Sequence, residues 1–285
     1  MYAAPGARTC ARARSLALAS TFAVWACSSG PGIAGVPSEA RRDDPGTIYE
    51  NPRPAQPSRL MTPHKGIVLP HMHVRIVYIG EEGADGAPSY DSFVSWLVAG
   101  GDYWNLLRQY GVGYGVLDGS ERVPTASFFT PGLLESGFVS TSDLDMRVYQ
   151  FLRGRAGGDA GVHAGPSPGL NDVPNSVAYL FFLPNAVGVS SQGEQSCVVF
   201  DGYHLIDRGA DPYVIIPSCG RNALAISHEL AEMATDPAPL TGWYADSFGA
   251  LGEIGDLCNF PVSEQIDFWK PTRLWSNADG DCEPH

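Results

Sequence analysis

The segment from Asn222 to Thr235, NALAISHELAEMAT, limits the fold more than any other. It is rich in Ala, Leu, Met and Glu, all strong helix formers, and Pro237 stops it. At 100° per residue, His228 and Glu232 lie about 40° apart on one face, while Ile226, Leu230 and Met233 gather on the opposite side. Such a helix must lay its apolar back on a large surface, leaving a histidine and carboxylates in front. Glu229 points between the two faces, where a general base beside a bound metal would sit.

His-Glu-x-x-His is a zinc-peptidase pattern, and here Glu232 stands in the place of the second histidine. Glutamate is a legitimate zinc ligand, but His-Glu-x-x-Glu also occurs as an ordinary solvated helix face. Further donors come in GEIGDLC, where Glu253 and Asp256 stand about as far beyond Glu232 as the third ligand does in thermolysin-like zinc peptidases. One of them would complete a Zn²⁺ site with His228 and Glu232, and the other would accept the free ring N–H of His228. The sequence leaves open which does which, and leaves open that both only cap or solvate a turn.

The 285 residues, 44% hydrophobic and 17% charged, suit one domain plus tails. A formal charge of −13 argues against binding nucleic acid and against docking on anionic lipid by charge alone. Residues 1–27 read as an export signal, with Arg8, Arg12 and Arg14 before a short apolar run that ends at Cys27. The surrounding Val-Trp-Ala-Cys-Ser-Ser allows either a lipoprotein anchor on Cys27 or simple cleavage nearby. Secretion or display on the outer surface follows in both cases. Residues 28–62, rich in Pro, Ser, Gly and Arg, read as a disordered linker, and 63–285 as a single domain. In an exported chain the four remaining cysteines favour two disulfides, with Cys197–Cys219 and Cys258–Cys282 preferred because each closes a short loop flanking the helix.

Strands are expected at 71–80, 114–117, 127–130, 177–183, 197–200 and 213–216, with Tyr203 and His204 in a loop. The unbroken apolar run Val177–Leu183 marks a central strand covered on both faces. Helices are expected over 89–107, interrupted at Gly100-Gly101, and from Ser142, where Asp145 completes a capping pattern. Residues 154–174 read as a long Gly/Pro loop holding His163. His71 and His73 share a strand face but are assigned to the surface rather than to the site.

The blocks Pro63-His-Lys-Gly66, a strand ending Tyr78-Ile-Gly80, Ser227-His-Glu-Leu-Ala-Glu232, Trp243-Tyr-Ala245 and Glu253-Ile-Gly-Asp-Leu-Cys258 resemble, in this order, the EXORDIUM-like or phosphate-induced protein family and its bacterial secreted relatives. The resemblance covers residues 63 to 282 and implies an extracellular protein with a zincin-like site, without implying an established reaction. The plant members follow HELAE with Ser and Asn, whereas Met-Ala-Thr-Asp-Pro stands here, so the role of Asp236 is left open.

The expected fold is α+β and zincin-like, a twisted mixed β-sheet packed on helices, one of which carries HELAE. The expected function is a secreted or surface-anchored zinc-dependent hydrolase, a metallopeptidase by preference, acting as a monomer on a peptide or cell-surface polymer. His228, Glu232 and one of Glu253 and Asp256 would hold the metal, Glu229 would be the general base, and Tyr244 or His204 would stabilise an oxyanion. Against activity, two carboxylates and one histidine cancel the +2 of zinc and leave a weak Lewis acid. The alternative is therefore a non-catalytic extracellular or wall-associated binding protein with a structural or vestigial metal site. A calcium-stabilised adhesion module fits less well, because calcium prefers six or more oxygens and avoids imidazole.

Overall fold

A computed structural model describes residues 60–80, 87–156, 177–185, 187–206, 211–220, 222–258, 269 and 271–283. The export segment with Cys27, most of the linker, and the loop holding His163 lie outside the described residues. The folded unit reaches back to Met61, which is buried, and Thr62–Pro63 pairs with Trp243–Tyr244. Among the described residues no helix is long and apolar enough to cross a membrane.

The architecture is mixed α and β around a five-stranded sheet. In chain order its strands are β1 (His73–Ile79), β2 (Val116–Val123), β3 (Val177–Phe182), β4 (Tyr203–Ile206) and β5 (Pro212–Ile216). They lie in the order β2-β1-β3-β5-β4, the first four parallel and β4 antiparallel on the edge. The helices that cover it are α1 (Ala87–Val98), α2 (Thr141–Ala156) and α3 (Asn222–Thr235).

Alternation along the strands divides the core in two. Val74, Ile76 and Tyr78 of β1, Leu180 of β3, and Val214 and Ile216 of β5 face one way, where they pack with residues of α1 and α3. Val77 and Ile79, Phe181, and Tyr213 and Ile215 face the other way, toward Leu144, Val148 and Leu152 of α2. Because both faces are covered, β3 and β5 read as continuous apolar runs. Ile226, Leu230 and Met233 of α3 are fully buried, and each contributes roughly 2 kcal/mol.

The structure corrects several local expectations. Residues 125–128 form a helical turn between Pro124 and Pro131 rather than a strand. Cys197–Phe200 is a turn with a single bridge between Ser196 and Phe200, because Cys197 sits at φ +65° and is tied to Cys219. Tyr203 and His204 lie on β4, not in a loop. The first helical segment runs only to Val98, with short turns at Asp102–Asn105 and Leu106–Tyr110 behind the glycine pair. The cap of α2 is Ser140, whose hydroxyl accepts from the Asp143 N–H at 3.1 Å and donates to its carboxylate at 2.6 Å. Asp145 instead accepts hydrogen bonds from Tyr203 and Tyr213.

Both expected disulfides are present, Cys197–Cys219 and Cys258–Cys282, which fits an extracellular or otherwise oxidising environment.

Candidate metal centre

The front of α3 is not a solvated face. His228, Glu229 and Glu232 are 2–3% exposed, covered by the edge strand β4 on one side and the 253–258 segment on the other. Sheet register brings His204 to them. His204 is paired with Val214, whose side chain lies in the core cluster on the α3 side of the sheet, so its imidazole points at the helix while Tyr203 points at α2. Gly202 allows the strand to pass, since a Cβ there would lie 3.0 Å from Glu229 Cγ.

The second wall is the EIGD segment. The N–H groups of Gly255 and Asp256 both donate to Glu232 Oε1, at 3.2 Å each. A Cβ on Gly255 would lie 2.5 Å from His228 Nδ1, so this backbone rests directly on the imidazole and only glycine fits. The segment is held from behind by Trp275, whose backbone N–H donates to the Ile254 carbonyl, and by the Cys258–Cys282 bond.

Six titratable side chains meet in this basin. His228 Nε2 is 3.1 Å from Glu232 Oε1 and 3.5 Å from Asp256 Oδ1. His204 Nδ1 is 3.1 Å from Glu229 Oε2 and 3.7 Å from Glu232 Oε2, while its Nε2 is 3.5 Å from Glu253 Oε1. Two groups can therefore hold a cation, His228–Glu232–Asp256 and His204–Glu229–Glu232, with ligand atoms within 4.8 Å of one another in each. Donors of this kind suit several divalent metals and do not by themselves select zinc. Glu253 and Asp256, though close in sequence, serve opposite ends of the basin, Asp256 toward His228 and Glu253 toward His204.

Charge is unbalanced here. Burial pushes the Glu229 and Glu253 carboxyls above their usual range, and Glu232 adds to both. Burial lowers His204, but Glu253 and Glu229 outweigh it and hold the imidazole well above its ordinary value. Among the described residues no lysine or arginine pairs with Glu229, Glu232, Glu253 or Asp256.

Tyr244 lies apart from this cluster, half-buried and stacked on His64 at 3.7 Å, and makes no hydrogen bond to the basin residues among those described. Asp236 closes the turn after α3, accepting from the N–H groups of Leu240, Thr241 and Gly242 at 2.6–3.0 Å. His204 as the partner of Glu229 was the main feature missed from sequence. Its one signal was Tyr203-His-Leu-Ile206, four residues dominated by strand formers. No protein-family model matches this chain, and neither a curated protein nor a solved structure matches it, so the functional reading rests on the geometry above.

Proposed function

We propose that the protein is an exported metal-dependent hydrolase, with zinc as its ion, a peptide as its substrate class, and a fold of the zincin type. The observation that supports this is the convergence of His228, Glu232 and Asp256 with Glu229 beside them. A divalent cation held there would polarise a carbonyl and acidify water. Asp256 takes the third-ligand place, because it faces the same imidazole nitrogen as Glu232. Glu229, raised by burial and steadied by His204 at 3.1 Å, accepts the proton of the attacking water. The resemblance to EXORDIUM-like proteins enters as part of this proposal and agrees with export.

One observation favours the second reading, a non-catalytic extracellular binding protein with a structural cation. All six basin groups are only 2–7% exposed, and a cavity of about 390 Å³ lined by Asp102, Asn105, Gln109 and Asp279 includes none of them. The two readings separate in one experiment, which counts zinc in the mature protein and compares casein or peptide cleavage by wild type and Glu229→Gln. Cleavage lost by about 10²–10⁴-fold with zinc retained supports the hydrolase. Bound zinc with equal inertness on a broad substrate panel establishes the binding protein.

A further inference from the structure

We propose that the basin holds two divalent cations, with the Glu232 carboxylate bridging them. The second position lies between His204, Glu229 and Glu232, next to Glu253. This rests only on the cation-binding part of the reading above, not on hydrolysis.

Glu232 divides its oxygens. Oε1 faces His228 and Oε2 faces His204, so each imidazole meets a different oxygen of one carboxylate. That is the arrangement of a bridging ligand in two-metal centres, where the ions stand about 3.5–4 Å apart.

The His204 ring supplies an independent argument. Its Nε2 lies 3.2 Å from the Asp236 carbonyl oxygen, which can only accept, so Nε2 carries a proton. The other nitrogen, Nδ1, faces Glu229 Oε2 at 3.1 Å and Glu232 Oε2 at 3.7 Å. Two carboxylate oxygens at that nitrogen call for a positive charge, which a second ring proton supplies in the cation-free protein and a divalent cation supplies in its place. A ring N–H donated to a backbone carbonyl, with the opposite nitrogen turned inward, is also how metal-ligating histidines are commonly oriented.

Glu253 points the same way. Its side chain is 9% exposed, and Oε1, buried 3.5 Å from His204 Nε2, has no hydrogen-bond partner among the described residues.

The test is Zn²⁺ titration of the oxidised, chelator-stripped mature protein by calorimetry, with the ions counted after dialysis. Two ions per chain are expected, falling to one in His204→Asn and one in Asp256→Asn. Glu253→Gln, the gentler variant, should weaken the His204-side ion tenfold or more and spare the other. With Mn²⁺, an exchange-coupled paramagnetic resonance spectrum is expected in place of isolated six-line signals. One ion in wild type overturns the second position and leaves the proposed function standing, whereas none overturns both. Two ions that survive His204→Asn in a folded variant also overturn it, as does an uncoupled Mn²⁺ spectrum.

Discussion

Asp236 and Glu253 both approach Nε2 of His204, Asp236 through its main-chain carbonyl, yet the surroundings of their buried carboxylates differ completely. Three backbone N–H groups and the Thr241 hydroxyl converge on Asp236. Glu253 meets one imidazole at 3.5 Å and, beyond it, other carboxylates. Burial raises both carboxyls, but backbone donors pull Asp236 back while Glu232 and Asp236 push Glu253 further up. A buried acid ringed by donors is a structural clamp. One that faces other acids has, among the described residues, only the His204 ring beside it and is open to a cation under the proposed reading.

The largest way to break this contrast is Asp236→Ala. It strips three N–H groups, one buried and two part-buried, of their acceptor and should destabilise the cation-free protein by on the order of 4 kcal/mol in denaturant unfolding. A loss below about 1 kcal/mol would show that the turn does not depend on the clamp. Replacing Cys258 and Cys282 together by Ser should cost about 3 kcal/mol and also weaken cation binding, since Asp256 stands two residues from Cys258. Unchanged affinity in that variant would mean that the EIGD wall holds itself. Gly255→Ala should cost roughly 2 kcal/mol, because the new methyl must displace the His228 imidazole from a 2.5 Å approach, and a histidine NMR shift would report it.

The smallest effect sharpens the comparison most. Glu253→Gln should stabilise the cation-free protein by about 1 kcal/mol at alkaline pH, by removing a buried charge that lacks a donor. The pH dependence follows from the same imbalance. Glu253 is raised above its ordinary value near 4.5, so its contribution is complete below that pH and is lost as pH rises through the folded value. His204, raised above 6.5, acts with the same sign through its own higher window. Cation-free wild type should therefore lose stability with rising pH more steeply than Glu253→Gln, and saturating Zn²⁺ should flatten the wild-type curve. Parallel melting curves for the two proteins across pH 5 to 9 would sink the argument.

What the sequence made legible was local. The helix showed in its own periodicity, and the disulfide pairing in the spacing of the cysteines around it. The central strand showed because a doubly covered parallel strand has no polar alternation to hide it. Non-local pairing decided the rest. Val198 and Val199 suggested a strand, but the bond from Cys197 to Cys219 fixed them in a turn. His204 could not be placed without knowing that β4 is antiparallel to β5 at a register that turns the imidazole toward α3. For the same reason Glu253 and Asp256 stayed interchangeable until the fold separated them.

The bond between Cys258 and Cys282 also sets an order of events. In a reducing compartment the helix would already carry its histidine and two glutamates, but Asp256 would hang on an unfastened strap. Under the proposed reading, oxidation comes first and tight capture of the ion second. Exported as proposed, a chain built this way would leave the metal pool of its maker untouched and arm itself only after departure.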